Sequence, residues 1–315
     1  MGVLGLYLIW SNSFIANEYL LSGPVQRFDW LGLTVGRYVL AAAVCWGYCL
    51  GWRRGESLAL LRRYPLRLLT CGALVVPAYN FCLAYGQQQG MPAPVASVVT
   101  TLAPLFIMVL ATLFLRERTP LVLWIGLATS AVGMWVIGTA ARGGGLGGYS
   151  WAVAIAAGAP MSWSLYSVIS KPMAGRVSPL LWTYLSVGLG GLLVLPLAWG
   201  RAGEQWTDLD ATGWLALGYL ALPCTVLGYA LWTGLLRHLP ATIVGLTVFL
   251  NPPLATVSKA LLSRLLPETF VFAVSAREWV GGAIVLAGLA VGLSRRLGVR
   301  SSETAGPGAR SGSRR

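Results

Sequence analysis

Charge is what this chain has least of. Asp, Glu, Lys and Arg make up only 10% of the 315 residues, with 10 acids against 23 bases, where a soluble domain carries about 25%. Ala, Val, Ile, Leu, Met, Phe, Trp, Tyr and Cys together reach 56%, more apolar surface than a soluble globule of this size can hide. A single histidine, His238, leaves no raw material for histidine catalysis or metal binding in the apolar segments. Cys45, Cys49, Cys71, Cys82 and Cys224 are odd in number, form no Cys-x-x-Cys pair and fall in apolar runs, so they read as packing residues. There is no Walker sequence for ATP hydrolysis. Gly143 to Gly148 satisfies G-x-G-x-x-G, but it joins two apolar runs with no strand before it and reads as a flexible linker. No catalytic residue, cofactor or metal is expected.

What is present is a series of apolar runs long enough to cross a hydrocarbon layer of about 30 Å at about 1.5 Å per residue. Ten can be marked, near 1–21, 30–52, 66–88, 93–115, 120–140, 150–171, 179–200, 213–236, 241–264 and 278–294. None alternates like a barrel strand, so the expected fold is an all-α membrane protein. The tail 295–315, rich in Ser, Gly and Arg, is expected to be disordered and basic. Helix 1 begins almost at Met1 without a basic leader and is read as uncleaved.

The net charge of +13 is not a nucleic-acid footprint, because the bases sit in short clusters between apolar runs. With the N-terminus inside, sixteen Lys and Arg fall on the cytoplasmic side and six on the other. That bias places both termini in the cytoplasm of a multi-pass protein of the cell (inner) membrane. Arg37 is the one base assigned to neither side, inside the apolar layer with no loop to explain it.

Landmarks recur along the chain: Trp10-Ser11 as Trp163-Ser164, Pro92 and Pro104 as Pro240 and Pro252, Gly126 as Gly281. A duplicated unit of five helices must enter the membrane from opposite sides, giving an inverted pair suited to alternating access. The expected organisation is a first repeat 1–140 (helices 1–5), a Gly-rich linker 141–149, a second repeat 150–294 (helices 6–10) and the tail. The opening Trp10-Ser11-Asn12-Ser13-Phe14-Ile15, then Gly36-Arg37-Tyr38, then the block Ala93 to Glu117 with Ala103-Pro104-Leu105-Phe106 and Leu115-Arg116-Glu117 resemble the EamA family of the drug/metabolite transporter superfamily. Gly126, Gly133, Trp163, Pro240 and Asn251-Pro252 fit the same pattern, so the resemblance covers about 1–293. Two departures stand out: the second half lacks a clean counterpart of Leu115-Arg116-Glu117, and about seven extra residues separate helices 9 and 10. The resemblance implies ten helices in two inverted halves and export or exchange of amino acids and other small metabolites.

Pro104 and Pro252 lie about 12 residues into helices 4 and 9, roughly 18 Å deep, and interrupted helices at matching depths mark a transporter site. Simple packing kinks are the alternative reading. Trp163 with Tyr166, Tyr229 with Trp232, and Tyr79-Asn80 lie deep in the apolar runs; with Trp10, Asn12 and Asn251 they are candidate substrate contacts. Ordinary packing explains such rings equally well. Arg37 stands about 24 Å from the boundary at Arg53, so it needs Glu18, a bound carboxylate or water as partner. The pairs Gly32/Gly36 and Gly288/Gly292 read as close helix approaches before they read as contacts of a homodimer. The expected function is a secondary transporter for a small-molecule substrate in the lipid bilayer, with proton coupling open. A passive facilitator, and behind it a membrane-embedded enzyme, are the alternatives.

Overall fold

The computed structural model describes residues 2–22, 28–88, 99–140, 150–198, 205–206, 209–265 and 275–303. Every regular element among them is helical. The chain opens with α1 (Gly2–Ser22), α2 (Trp30–Gly51) and a short basic α3 (Arg54–Arg63). Next come α4 (Pro65–Ala73), α5 (Tyr79–Gln88), α6 (Ala103–Leu115) and α7 (Leu121–Ala140). The later part holds α8 (Ser150–Ala156), α9 (Gly158–Ala174), α10 (Pro179–Val194), α11 (Ala211–Tyr219) and α12 (Gly228–His238). It ends with α13 (Ala241–Leu246), α14 (Asn251–Leu265) and α15 (Ala276–Glu303).

Seven of the described helices are long and apolar enough to cross a membrane, so this is a multi-pass membrane protein. The sequence reading marks ten such runs, and the other three fall short for visible reasons. α1 carries Asn12, Asn17 and Glu18 within its length. α6 is only 13 residues, since a turn at 101–102 precedes it, and residues 89–98, including Pro92, lie outside the described set. Next to it, α7 counts as a shorter apolar helix, Leu121–Ile137. Large apolar side chains such as Leu113, Phe114, Leu121 and Leu215 point outward, as a hydrocarbon solvent requires. The linker 141–149 also lies outside the described residues. One expectation changes at the C-terminus: α15 runs through residue 294 to Glu303, so the end of the apolar run is the end of the span and not of the helix. Nothing there breaks the helix, since Arg, Leu and Val continue it and one Gly costs only about 1 kcal/mol.

Helix starts follow the residues that satisfy free N–H groups. Asp29 accepts from Gly32 N, Asp210 from Gly213 N and Ser178 from Leu181 N, while Pro65 and Pro179 occupy first-turn positions. Ser57, buried at the head of α3, donates to the Cys49 carbonyl at 3.1 Å and folds α3 back onto α2.

The packing is pairwise. α7 lies along α15, α10 along α2 and α4, α6 against α9 and α13, and α1 against α14. α7 and α15 run antiparallel at backbone contact: a Cβ on Gly126 would stand 2.6 Å from Gly292 Cα and 2.7 Å from the Gly288 carbonyl, and one on Gly133 would stand 2.7 Å from the Gly281 carbonyl. Gly288 and Gly292 are thus occupied within the chain. So are Gly32, which faces Gln205, and Gly36, which faces Trp206 and Leu217.

Four proline positions shape the helices. Pro104 and Pro252 each stand in the first turn of a helical segment, α6 after a turn at 101–102 and α14 after the 3-10 turn Thr247–Leu250. Pro77 and Pro223 do something else. Each lies within a widened π turn, Leu74–Ala78 between α4 and α5, and Leu220–Leu227 between α11 and α12. A proline inside a helix has no N–H to give and crowds the carbonyl four residues back, and widening the turn accommodates both.

Candidate functional site

Side chains close by donate to backbone carbonyls in and beside the π turns. Asn80 Nδ2 donates to the Val76 carbonyl at 2.8 Å, with a weaker bond to Val75 at 3.4 Å. Thr225 Oγ1 donates to the Leu220 carbonyl at 2.8 Å. The indole N–H of Trp10 donates to the Cys224 carbonyl at 2.9 Å. That last bond needs Gly228, where a Cβ would stand 2.5 Å from Trp10 Nε1. Buried polar groups must find partners in an apolar medium, so each π turn fixes the side chains around it.

Those side chains meet around two tryptophans. Trp10 on α1 and Trp163 on α9 meet edge to face, with ring centroids 5.4 Å apart and planes at 80°. Tyr229 lies 6.2 Å from Trp10 and 5.0 Å from Trp163, and Tyr79 lies 5.8 Å from Trp163. Beside the pair is a cavity of about 100 Å³, room for several waters. Ser13, Asn17, Thr34, Arg37, Asn80 and Thr100 bring polar groups to its wall from the first half of the chain, and Tyr229 and Asn251 from the second. The cavity extends from the tryptophans toward the end of the molecule where α1 stops and α2 starts, with Leu21 and Leu33 among its lining residues.

Beyond the tryptophans the opposite end is tied shut. Tyr7 and Thr247 share a hydrogen bond of 2.8 Å. Lys171 Nζ donates to the carbonyls of Leu236 and Leu239, each at 2.6 Å. Glu117 accepts from Ala241 N at 2.8 Å, Thr242 N at 3.1 Å and Thr242 Oγ1 at 3.0 Å. These contacts hold α6 and α9 against the α12–α13 connection.

Of the residues singled out in the sequence, Trp10, Arg37, Tyr79, Asn80, Trp163, Tyr229 and Asn251 line the cavity. Three do not. Asn12 Nδ2 donates to the Leu8 carbonyl of its own helix at 2.8 Å; it stands about 200° round the helix from Trp10, whose face continues through Ser13, Asn17 and Leu21. Tyr166 and Trp232 lie behind the wall: Tyr166 Oη pairs with Thr233 Oγ1 at 3.0 Å, and Trp232 Nε1 donates to Ser167 Oγ at 3.1 Å. They back the tryptophans, with Trp163 ring centroids 5.5 Å from Tyr166 and 5.2 Å from Trp232.

Arg37 finds a partner that the sequence reading does not propose. Its Nε donates to Thr225 Oγ1 at 2.8 Å. The side chain of Glu18 lies outside the described residues. Tyr38 is a second residue missed. It is fully buried, its hydroxyl pairs with Tyr229 Oη at 2.7 Å and accepts from Asn80 Nδ2 at 2.9 Å. A signal for the π turns was available: Gly72 and Pro77 recur as Gly218 and Pro223, both 146 residues on.

Comparison with known proteins gives a consistent picture. The sequence pattern of the EamA-like transporter family matches residues 1–139 and again 150–293. The uncharacterised inner membrane transporter YedA of Escherichia coli (strain K12) is 27% identical over 94% of this chain and 90% of its own length. A probable terminal-alkyne amino-acid exporter of Streptantibioticus cattleyicolor is 29% identical over 96% of this chain and 95% of its own. A probable amino-acid metabolite efflux pump of Salmonella typhimurium is 28% identical over 72% and 76%. A crystal structure at 21% identity superposes with a TM-score of 0.72 over 94% of this chain and 97% of that one, which speaks to the fold alone.

Proposed function

This chain belongs to the EamA-like transporter family, and from that premise we propose that it carries small metabolites of the amino-acid kind across the membrane, exporting or exchanging them by alternating access. The observation that carries the proposal is the position of the cavity: it sits where the duplicated Trp10 and Trp163 meet, extends toward one end of the molecule and is tied off at the other. Relatives named as an amino-acid exporter and an amino-acid metabolite efflux pump support the substrate class.

The reading adds α1, α6 and α7 to the seven long helices as spans, making ten in two halves of opposite orientation. Support comes from the antiparallel α7–α15 pair. Shifting by 155 residues takes Gly126 to Gly281 and Gly133 to Gly288, so the close approach of Gly126 to Gly288 becomes that of Gly281 to Gly133, which is also present. A contact that maps onto another contact when the halves are exchanged is what a two-fold axis in the membrane plane requires. On the charge bias both termini face the cytoplasm, so the cavity extends outward and the Glu117 contacts close the cytoplasmic end. In this scheme Trp10, Trp163, Tyr79 and Tyr229 wall the substrate, Arg37, Asn80 and Asn251 orient it, and the breaks at Pro104 and Pro252 let the helices bend between states.

The test is counterflow in proteoliposomes of the purified chain, against a panel of amino acids and their derivatives with and without a pH gradient. Saturable exchange of one class is the expected result. Flux that never saturates and shows no counterflow would replace the carrier with a passive facilitator.

A further inference from the structure

The charges around the cavity carry the reading further, taking from the proposal above that the cavity is the substrate site. Arg37 is the one charged residue among the described residues that line it. Thr225 holds the guanidinium by its Nε edge, at 2.8 Å. The other edge, Nη1 and Nη2, has no partner among the described residues, and that edge is the fork that takes both oxygens of a carboxylate. From the second half of the chain Asn251 reaches the wall with its Oδ1 buried and without a hydrogen-bond partner. A buried amide oxygen is costly to leave unpaired, so it marks a place where a ligand brings a donor.

We infer that the cavity is a site for a small organic monoanion, with a carboxylate seated end-on against Arg37, an apolar body against Trp10 and Trp163, and a hydroxyl or N–H donor at Asn251 Oδ1. Net charge decides between an anion and a zwitterion. A guanidinium in an apolar layer is expensive. A net −1 ligand cancels it, whereas a zwitterion leaves one positive charge uncompensated and adds an ammonium for which the described wall has no carboxylate. The rings offer that ammonium little, because they pack on one another: Trp163 lies within 6 Å of Trp10, Tyr79, Tyr229 and Trp232, mostly edge to face. One guanidinium also matches a carboxylate better than a doubly charged phosphate. Within the amino-acid kind of metabolite, the preferred substrates are therefore the derivatives and related carboxylates whose amine is absent or masked.

Four probes with one aromatic body separate these cases: 3-phenyllactate (net −1 with a hydroxyl donor), 3-phenylpropionate (net −1 without it), phenylalanine (zwitterion) and phenethylamine (net +1), with phenyl phosphate for the dianion. Binding to the purified full-length chain is measured by calorimetry and transport by counterflow in proteoliposomes. The expected order puts 3-phenyllactate about tenfold or more tighter than phenylalanine and phenyl phosphate, each of which brings a charge that nothing compensates, with phenethylamine not bound. Arg37→Gln should weaken 3-phenyllactate by about ten to a hundredfold, and Arg37→Lys should restore part of it. Asn251→Ala should weaken 3-phenyllactate and leave 3-phenylpropionate unchanged. Thermal unfolding of each variant separates lost binding from lost fold. Phenylalanine binding as tightly as 3-phenyllactate overturns the proposal, as does Arg37→Gln binding normally. Glu18→Gln tests whether the acid near the end of α1 compensates Arg37; weaker discrimination in wild type than in Glu18→Gln would overturn the monoanion assignment. Binding in the expected order without any counterflow would leave the anion site standing and remove the carrier.

Discussion

Arg37 owes its position to an oxygen 188 residues away. Thr225 Oγ1 accepts from Arg37 Nε and donates to the Leu220 carbonyl at the start of the π turn, both at 2.8 Å. Thr225→Val keeps the shape and removes both bonds, taking from the Arg37 Nε its partner at a cost of about 1–3 kcal/mol. The expected outcome is a lower unfolding temperature in detergent with the protein still monodisperse; an unchanged temperature would mean that water replaces the hydroxyl. Gly228 offers a second test, because Gly228→Ala drives a methyl into Trp10 Nε1 and breaks its bond to Cys224, whereas at Gly234 on the same helix a Cβ meets nothing within 4 Å. Counterflow should fall several-fold in Gly228→Ala and hold in Gly234→Ala. Equal rates would take Trp10 out of the working site. Trp10 and Trp163 are legible in the sequence because a rare residue recurs with its neighbour Ser. Thr225 and Tyr38 are not, because a hydroxyl in an apolar run carries no mark of which half it will face. Asn12 is misplaced for a simpler reason: proximity to Trp10 along the chain is not proximity round a helix, and two residues turn about 200°.

The stretch Leu115-Arg116-Glu117 ends α6 and starts a contact between elements. Arg116 takes the left-handed conformation, φ 53°, and Glu117 N donates to the Ala111 carbonyl at 3.2 Å. The turn aims the Glu117 carboxylate at the first N–H groups of α13, a helix N-terminus where a negative charge is favoured. Glu117→Gln retains one acceptor but loses the charge, so the cap should weaken by about 1 kcal/mol. In a Ser170→Cys background the thiol should then react faster with a membrane-impermeant maleimide, and Glu117→Asp should fall between. No change in reactivity would show that Lys171 and the Tyr7–Thr247 pair close this end unaided. The α7–α15 contact is less forgiving, since Gly133→Leu must place a side chain where a Cβ already stands 2.7 Å from the Gly281 carbonyl. The expected result is loss of folded protein, read as aggregation on size exclusion. Helix positions were open to sequence reading because an apolar run long enough to span a bilayer has few other uses. The π turns were not, because a proline in a helix can kink it, end it or widen it, and which occurs depends on the packing and hydrogen bonds around it.

At the scale of the whole molecule, a carrier and a facilitator make opposite demands on the two ends. If the halves exchange conformations, the ties at Tyr7–Thr247, Lys171 and Glu117 must open when the other end of the cavity, lined by Leu21, Leu33 and Leu83, closes. A facilitator needs no such opposition. Spin-label pairs placed at 21 and 83, and separately at 118 and 238, report the two ends by pulsed electron resonance in the same lipid. The expected distributions are bimodal and opposed: conditions that shorten the first distance lengthen the second, and a transported substrate changes the populations without changing the positions of the peaks. Glu117→Gln should raise the fraction with the second pair apart, because it weakens a contact made in only one of the two states. About 1 kcal/mol is enough for roughly a fivefold change in that ratio, well within what the distributions resolve. Two single, unopposed peaks that ignore substrate would remove alternating access, whatever flux the liposomes show.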